Sequence, residues 1–164
     1  MCLAQDYNVC TKSVNRRMAI VRRAKEFGAT IKELVHLWII FCRSKLEQTC
    51  VLWHSTLTQE NIEDLERTQK TFAKLVLGQK YENYEDALLK LNLISLNSRR
   101  QNLCLKFAQS GLRNHTLTDL LRKNKKNHNM ETRNFEKHHT DFSNTARYGR
   151  STIPYMQTLL NENV

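Results

Sequence analysis

Turn-forming residues are scarce in this chain: its 164 residues include four glycines and a single proline, Pro154. An all-β sandwich or barrel needs frequent tight turns, so that class is excluded and long helices are expected. Acidic residues are also few, 16 against 26 lysines and arginines, which leaves a formal charge of +10. Such a balance suits a polyanionic partner, nucleic acid or an acidic membrane surface, better than an acidic protein. The plain alternative is a basic soluble protein with no such partner.

Long apolar runs are missing too. The most apolar stretch, LVHLWIIFC from Leu34 to Cys42, is closed by Arg43 and Lys45. It is far shorter than the ~20 residues a membrane span needs, so it reads as a buried helix and no membrane partner is expected. The five cysteines (Cys2, Cys10, Cys42, Cys50, Cys104) are an odd number with no dense spacing and no signal peptide before them. They are expected to be reduced thiols of an intracellular protein, nuclear or cytoplasmic. On one helix Cys42 and Cys50 would lie roughly 12 Å apart at ~1.5 Å per residue, beyond the ~7 Å limit for a disulfide.

Catalytic motifs are absent as well. No Walker loop, dinucleotide fingerprint, HExxH or zinc-spaced cysteine pair occurs. His128, His138 and His139 lie in a polar stretch and read as solvated side chains, and His54 as a helix-boundary residue. The acidic clusters EDLE (Glu63–Glu66) and YEDALL (Tyr84–Leu89) open amphipathic helices, where acids complement the helix dipole. No catalytic residue, metal ligand or cofactor is expected.

What is present is helical periodicity. A first helix is expected from about Lys12 to Phe27, stopped by Gly28, after an irregular segment 1–13. Val14, Met18 and Val21 form its core stripe, with Lys12, Arg16 and Arg23 nearly opposite. TIKE (Thr30–Glu33) is a capping box. The helix it opens, running to about Trp53, is apolar around most of its cylinder, which makes it central. Thr58 is an N-cap for a third helix carrying Ile62, Leu65, Phe72, Val76 and Leu77 and ending at Gly78. A short helix at about Tyr84–Leu91 and a fifth from Leu96 or Asn97 to Leu112 follow. In the fifth, Leu96, Leu103, Cys104, Phe107 and Ala108 face inward. Arg99, Lys106 and Arg113 recur every seven residues, a line of cations roughly 20 Å long at ~1.5 Å per residue.

The expected architecture is thus all-α: a bundle of about five helices over residues 14–113, then a loosely ordered basic polar linker (114–145). A compact segment, 146–164, closes the chain around Pro154, Met156, Leu159 and Leu160. Positive charge gathers in three places. Residues 11–32 hold seven lysines and arginines against one acid, residues 92–112 hold three against none, and residues 113–164 hold nine against five.

Several stretches carry a family resemblance. SKLEQTCVLWHSTLTQENIEDLERTQKTFAKLVLG (Ser44–Gly78) resembles the segment beyond the polymerase core of jockey-like non-LTR retrotransposon reverse transcriptases. That family shows R-S-x-L-E-x-x-x-x-V-W-H-S-x-L-T here, then an acidic helix with E-x-x-Q-K. Arg43, Ser44, Leu46, Glu47, Trp53, His54, Ser55, Leu57, Thr58, Glu66, Gln69 and Lys70 fit the pattern. Residues 15–44 are similar to the preceding helix pair, with Trp38 where the family usually has tyrosine. YENYEDALLKLNLISLNSRRQNLCLKFAQ and ARYGRSTIPYMQTLLNEN resemble the two stretches that follow.

The resemblance covers about residues 14–163. It implies the thumb helices and C-terminal extension of an RNA-directed DNA polymerase, with RNA template and target DNA or their hybrid as partners. The fingers and palm of the parent polyprotein would be a further partner, and any magnesium would belong to that palm, whose F/Y-A-D-D motif is not in this chain. The fragment would hold nucleic acid non-specifically and catalyse nothing alone. Phosphate contacts are expected at Arg16, Arg23, Arg99, Lys106 and Arg113, with Arg22, Arg100, Lys125 and Lys126 next. Arg99 and Arg100 admit a second reading as packing anchors, because Arg100 falls closer to the apolar face. A second function, as a helical protein-interaction module or a remnant with exposed apolar surface, would lead to self-association.

Overall fold

The computed structural model describes residues 3–121, 137–139 and 145–163. The regular elements among them are helices: α1 (Leu3–Glu26), α2 (Ile31–Leu37), α3 (Ser44–Glu47), α4 (Cys50–Trp53), α5 (Gln59–Leu77), α6 (Tyr84–Leu91), α7 (Leu96–Arg113), α8 (Ala146–Gly149) and α9 (Thr152–Glu162). The protein is all-α. π turns over Trp38–Arg43 join α2 to α3 as one rod, and 3₁₀ turns lie at His54–Thr56 and Gly78–Lys80. With the rod counted once and the single turn of α8 set aside, the described helices number about seven where about five were expected. No described helix is long and apolar enough to cross a membrane.

The extra helices have local causes. α1 begins at Leu3, so residues 3–13 are helical, not irregular. Nothing between Leu3 and Lys12 breaks a helix, since neither glycine nor proline occurs there. The helix expected from Thr30 to Trp53 ends at Glu47. Gln48 turns extended (ψ 123) and Thr49 adopts a left-handed φ of 54, a break that no glycine announces. The Trp53 indole N–H donates to the Gln48 carbonyl at 3.2 Å across the break.

Other boundaries follow their signals. The Thr30 hydroxyl accepts the Glu33 N–H at 3.4 Å, and the Glu33 carboxylate accepts the Thr30 N–H at 2.7 Å, which completes the capping box. Thr58 accepts the Asn61 N–H at 3.3 Å at the start of α5. Gly28 takes a φ of 84 just past α1, a conformation that costs a residue without a Cβ little.

The chain divides into two compact units, Met1–Trp53 with Leu57–Arg100, and His54–Thr56 with Gln101–Val164. The division falls inside α7. In the first unit α1, the α2–α3 rod and α5 pack against one another around Val14, Met18, Val21, Leu34, Trp38, Leu46, Leu65 and Phe72, all buried. Trp38 and Phe72 stack with ring centroids 4.6 Å apart, worth ~0.5–1.5 kcal/mol beyond the area they bury. The rod is less enclosed than expected, for Ile40 and Phe41 stay 61% and 40% exposed.

In the second unit α9 buries Met156, Leu159 and Leu160 and packs on the turn His54–Thr56. Tyr155 meets the buried His54 ring edge to face at 5.7 Å. Pro154 stands in the first turn of α9, where a missing N–H removes no intrahelical bond. The segment 146–164 thus docks within its own unit.

His138, expected to be solvated, is buried. Its Nδ1 lies 2.7 Å from the Leu121 carbonyl, and its backbone exchanges hydrogen bonds with the Asn161 side chain. Gly111 is buried under the Leu117 side chain, which would collide with any Cβ there. The other residues of the expected linker, 122–136 and 140–144, lie outside those described.

Candidate nucleic-acid interface

α1 presents its core stripe inward and its cations outward because the two sets differ in helical phase. Val14, Met18 and Val21 are 0–2% exposed, while Lys12, Arg16, Arg22 and Arg23 are exposed. Among the described residues none of these four cations pairs with a carboxylate. Two further cations of α1 serve the fold. The Arg17 guanidinium donates to the Phe41 carbonyl at 2.8 Å, and Lys25 Nζ donates to the Leu75 carbonyl at 2.5 Å. The cations of α1 thus divide into two that bond to the backbone of neighbouring elements and four that are exposed.

α7 divides its expected cations differently. Lys106 and Arg113 are exposed. Arg99 donates to the Glu47 carboxylate, which also lies 3.4 Å from the Arg43 guanidinium. Burial first, then the like charge of Arg99, lowers the Arg43 pKa from its ordinary value, against the pull of Glu47. Two guanidiniums thus share one carboxylate, and Arg99 is a packing anchor more than a free phosphate contact.

Arg100 is no surface residue at all. It is fully buried, with its guanidinium 6.0 Å from the Trp53 ring centroid. The reason is spacing: the buried positions of α7 are Leu96, Arg100, Cys104, Ala108 and Gly111, and Arg100 stands in the middle of that row. Phe107, expected inside, falls off the row and is 48% exposed. Lys125 and Lys126 lie outside the described residues.

Two features escaped the sequence reading. Phe27, expected to end the first helix, is 90% exposed beside the α1 cations. The second unit also holds a pocket of about 510 Å³ lined by Asp119, Leu120, His139, Tyr148, Ser151, Ile153, Pro154 and Gln157. No sequence motif marks it, because its lining comes from 119–120, 139 and 148–157.

The exposed lysines and arginines offer positive charge and N–H donors to an anion. Among the described residues no cluster of three or more histidines, cysteines or acids could hold a metal ion. The buried Cys42 thiol is pushed up to about 11 by burial, only partly offset by Arg17, so it is a poor nucleophile. Comparison of the chain with known protein families, with curated proteins and with solved structures finds no match.

Proposed function

We propose that the chain is a template- and primer-holding helical fragment of the kind found C-terminal to the polymerase core of jockey-like non-LTR retrotransposon reverse transcriptases. It binds RNA, DNA or their hybrid through the phosphate backbone and has no polymerase activity of its own. The observation that supports this most is the set Lys12, Arg16, Arg22 and Arg23 on α1, exposed and without a carboxylate partner among the described residues. Lys106 and Arg113 on α7 add a second cationic face. Each cation placed on a phosphate releases counterions, which makes such binding steeply salt-dependent.

Fluorescence anisotropy with labelled RNA and duplex at two salt concentrations tests the reading. The expected dissociation constant is ~10⁻⁴–10⁻⁶ M near physiological salt, falling in strength as salt rises. No binding at low salt, or binding unchanged when Arg16, Arg22 and Arg23 become alanine, overturns it. Template-dependent nucleotide incorporation by the purified chain would overturn the absence of polymerase activity.

A protein-interaction module is the second reading, favoured by Leu89 at 80% and Ile40 at 61% exposure in the first unit. Light scattering behind size exclusion decides it: a concentration-dependent oligomer that ignores nucleic acid supports this reading over the first.

A further inference from the structure

Lys12, Arg16, Ile20, Arg23 and Phe27 follow one another at intervals of four, four, three and four residues, the spacing that keeps side chains on one line of a helix. Phe27 lies just past α1, yet its N–H donates to the Arg23 carbonyl at 3.0 Å, so the helical path continues through it. All five side chains are exposed, Ile20 by 44% and Phe27 by 90%. The line is about 22 Å long at ~1.5 Å per residue. Gly28 then turns the chain away, leaving the phenylalanine ring at the open end of a cationic track.

An aromatic ring at the end of a row of exposed cations, without carboxylate partners among the described residues, fits a chain that carries phosphates on one side and flat apolar faces on the other. Single-stranded nucleic acid has this form, and its bases stack on aromatic side chains without regard to sequence. A duplex offers the phosphates but hides its base faces in its own stack. An anionic membrane asks for a broad apolar helix face. Between Cys10 and Phe27 no such face is seen among the described side chains, since Val14, Met18 and Val21 are buried and Ile20 and Phe27 are the exposed large apolar residues there.

We propose that this line is a single-strand binding track in which Lys12, Arg16 and Arg23 follow the phosphates and Phe27 stacks a base. The proposal rests on the nucleic-acid reading above and names the form of nucleic acid that α1 takes. A track of this length follows about four nucleotides, at the lower end of single-strand site sizes.

The test is anisotropy on the full chain with a labelled single-stranded RNA of about 12 nucleotides and the matching duplex, each over a salt series. Phe27→Ala should weaken single-strand binding about tenfold, the loss of one stacked base. It should leave the salt slope and the duplex affinity unchanged, and Phe27→Trp should restore the single-strand affinity. Arg16→Ala with Arg23→Ala should instead flatten the slope by about 0.7 for each contact removed.

If Phe27→Ala binds single strands as well as the parent chain while the arginine pair weakens them, the stacking track is wrong and the nucleic-acid reading stands. If no oligonucleotide binds at low salt, both fall. Sedimentation with phosphatidylserine vesicles that is lost in Phe27→Ala, without single-strand binding, would assign the line to a membrane surface and overturn the proposal.

Discussion

Glu66 on α5 caps α7 from a distance: one carboxylate oxygen accepts the backbone N–H of Asn97 at 2.7 Å. The other accepts the Tyr84 hydroxyl at 2.5 Å, and Gln69, one turn further along α5, donates to that hydroxyl at 3.1 Å and to the Ile94 carbonyl at 2.9 Å. Three elements, α5, α6 and the start of α7, are tied through one acid and one amide. Burial, then Glu66, pushes the Tyr84 phenol far above its ordinary pKa, so it remains a donor. Glu66→Ala leaves a helix-start N–H and a phenol without their acceptor, and is expected to cost ~1–3 kcal/mol in urea unfolding. The double variant with Tyr84→Phe should cost less than the sum of the two single changes.

Cys42 sets an alkaline limit. Its folded pKa of about 11 lies above its ordinary 9.0 because the buried thiolate is disfavoured. The unfolded chain therefore loses this proton first as pH rises. Stability from this thiol is full below pH 9 and lost as pH climbs through the folded value. Unfolding curves between these limits should fall more steeply for the parent chain than for Cys42→Ala, and a maleimide should reach Cys42 only after denaturation.

Glu33 sets the acidic counterpart. Its carboxylate is held below its ordinary pKa of 4.5 by the Thr30 N–H first and the Thr30 hydroxyl second, against a small desolvation effect. The folded chain keeps this group ionised to lower pH than the unfolded chain does. The stabilisation is present above pH 4.5 and lost as pH falls through the folded value. Glu33→Gln should flatten the acid limb of the stability profile, read by circular dichroism at 222 nm.

Neighbouring arginines on α7 should separate cleanly. Arg100→Ala removes a buried side chain from the face of Trp53 and is expected to destabilise by ~2–4 kcal/mol. Lys106→Ala and Arg113→Ala, at exposed positions, should each stay within ~0.5 kcal/mol of the parent. Only these two should lower the salt slope of duplex binding, by about 0.9 each. Urea unfolding and salt titration on the same three variants check the contrast.

Much of this was legible beforehand, where a boundary has a chemical marker. Thr30 with Glu33, Thr58, Gly28 and Gly78 each stop or start a helix through a hydrogen bond or a backbone angle that residue type alone announces. Unmarked events were not. Thr49 breaks the rod without glycine, because Trp53 and Lys45 both bond to Gln48 and hold the turn. The expectation for Arg99 and Arg100 stayed divided because residue type favours the surface while spacing favours the core, and for Arg100 spacing wins. Within the candidate interface the α1 cations were readable from charge and phase. The exposure of Phe27 was not, since a phenylalanine before a helix-ending glycine reads equally well as a core residue.

The π turns in the rod act as a vernier. Leu34, Trp38, Cys42 and Leu46 recur at intervals of four and are all 0–2% exposed. An α-helix of 3.6 residues per turn advances about 40° at each such step, so three steps would carry Leu46 about 120° away from Leu34. Turns closed by i→i+5 bonds hold more residues and wind that drift back. The rod therefore carries one residue of slack in its length. Deleting the exposed Ile40 should convert the π turns to α-helix and keep both ends in register, with cooperative unfolding retained. Deleting a residue from the middle of α5, which has no such slack, should turn Phe72 out of its stack on Trp38 and abolish the transition.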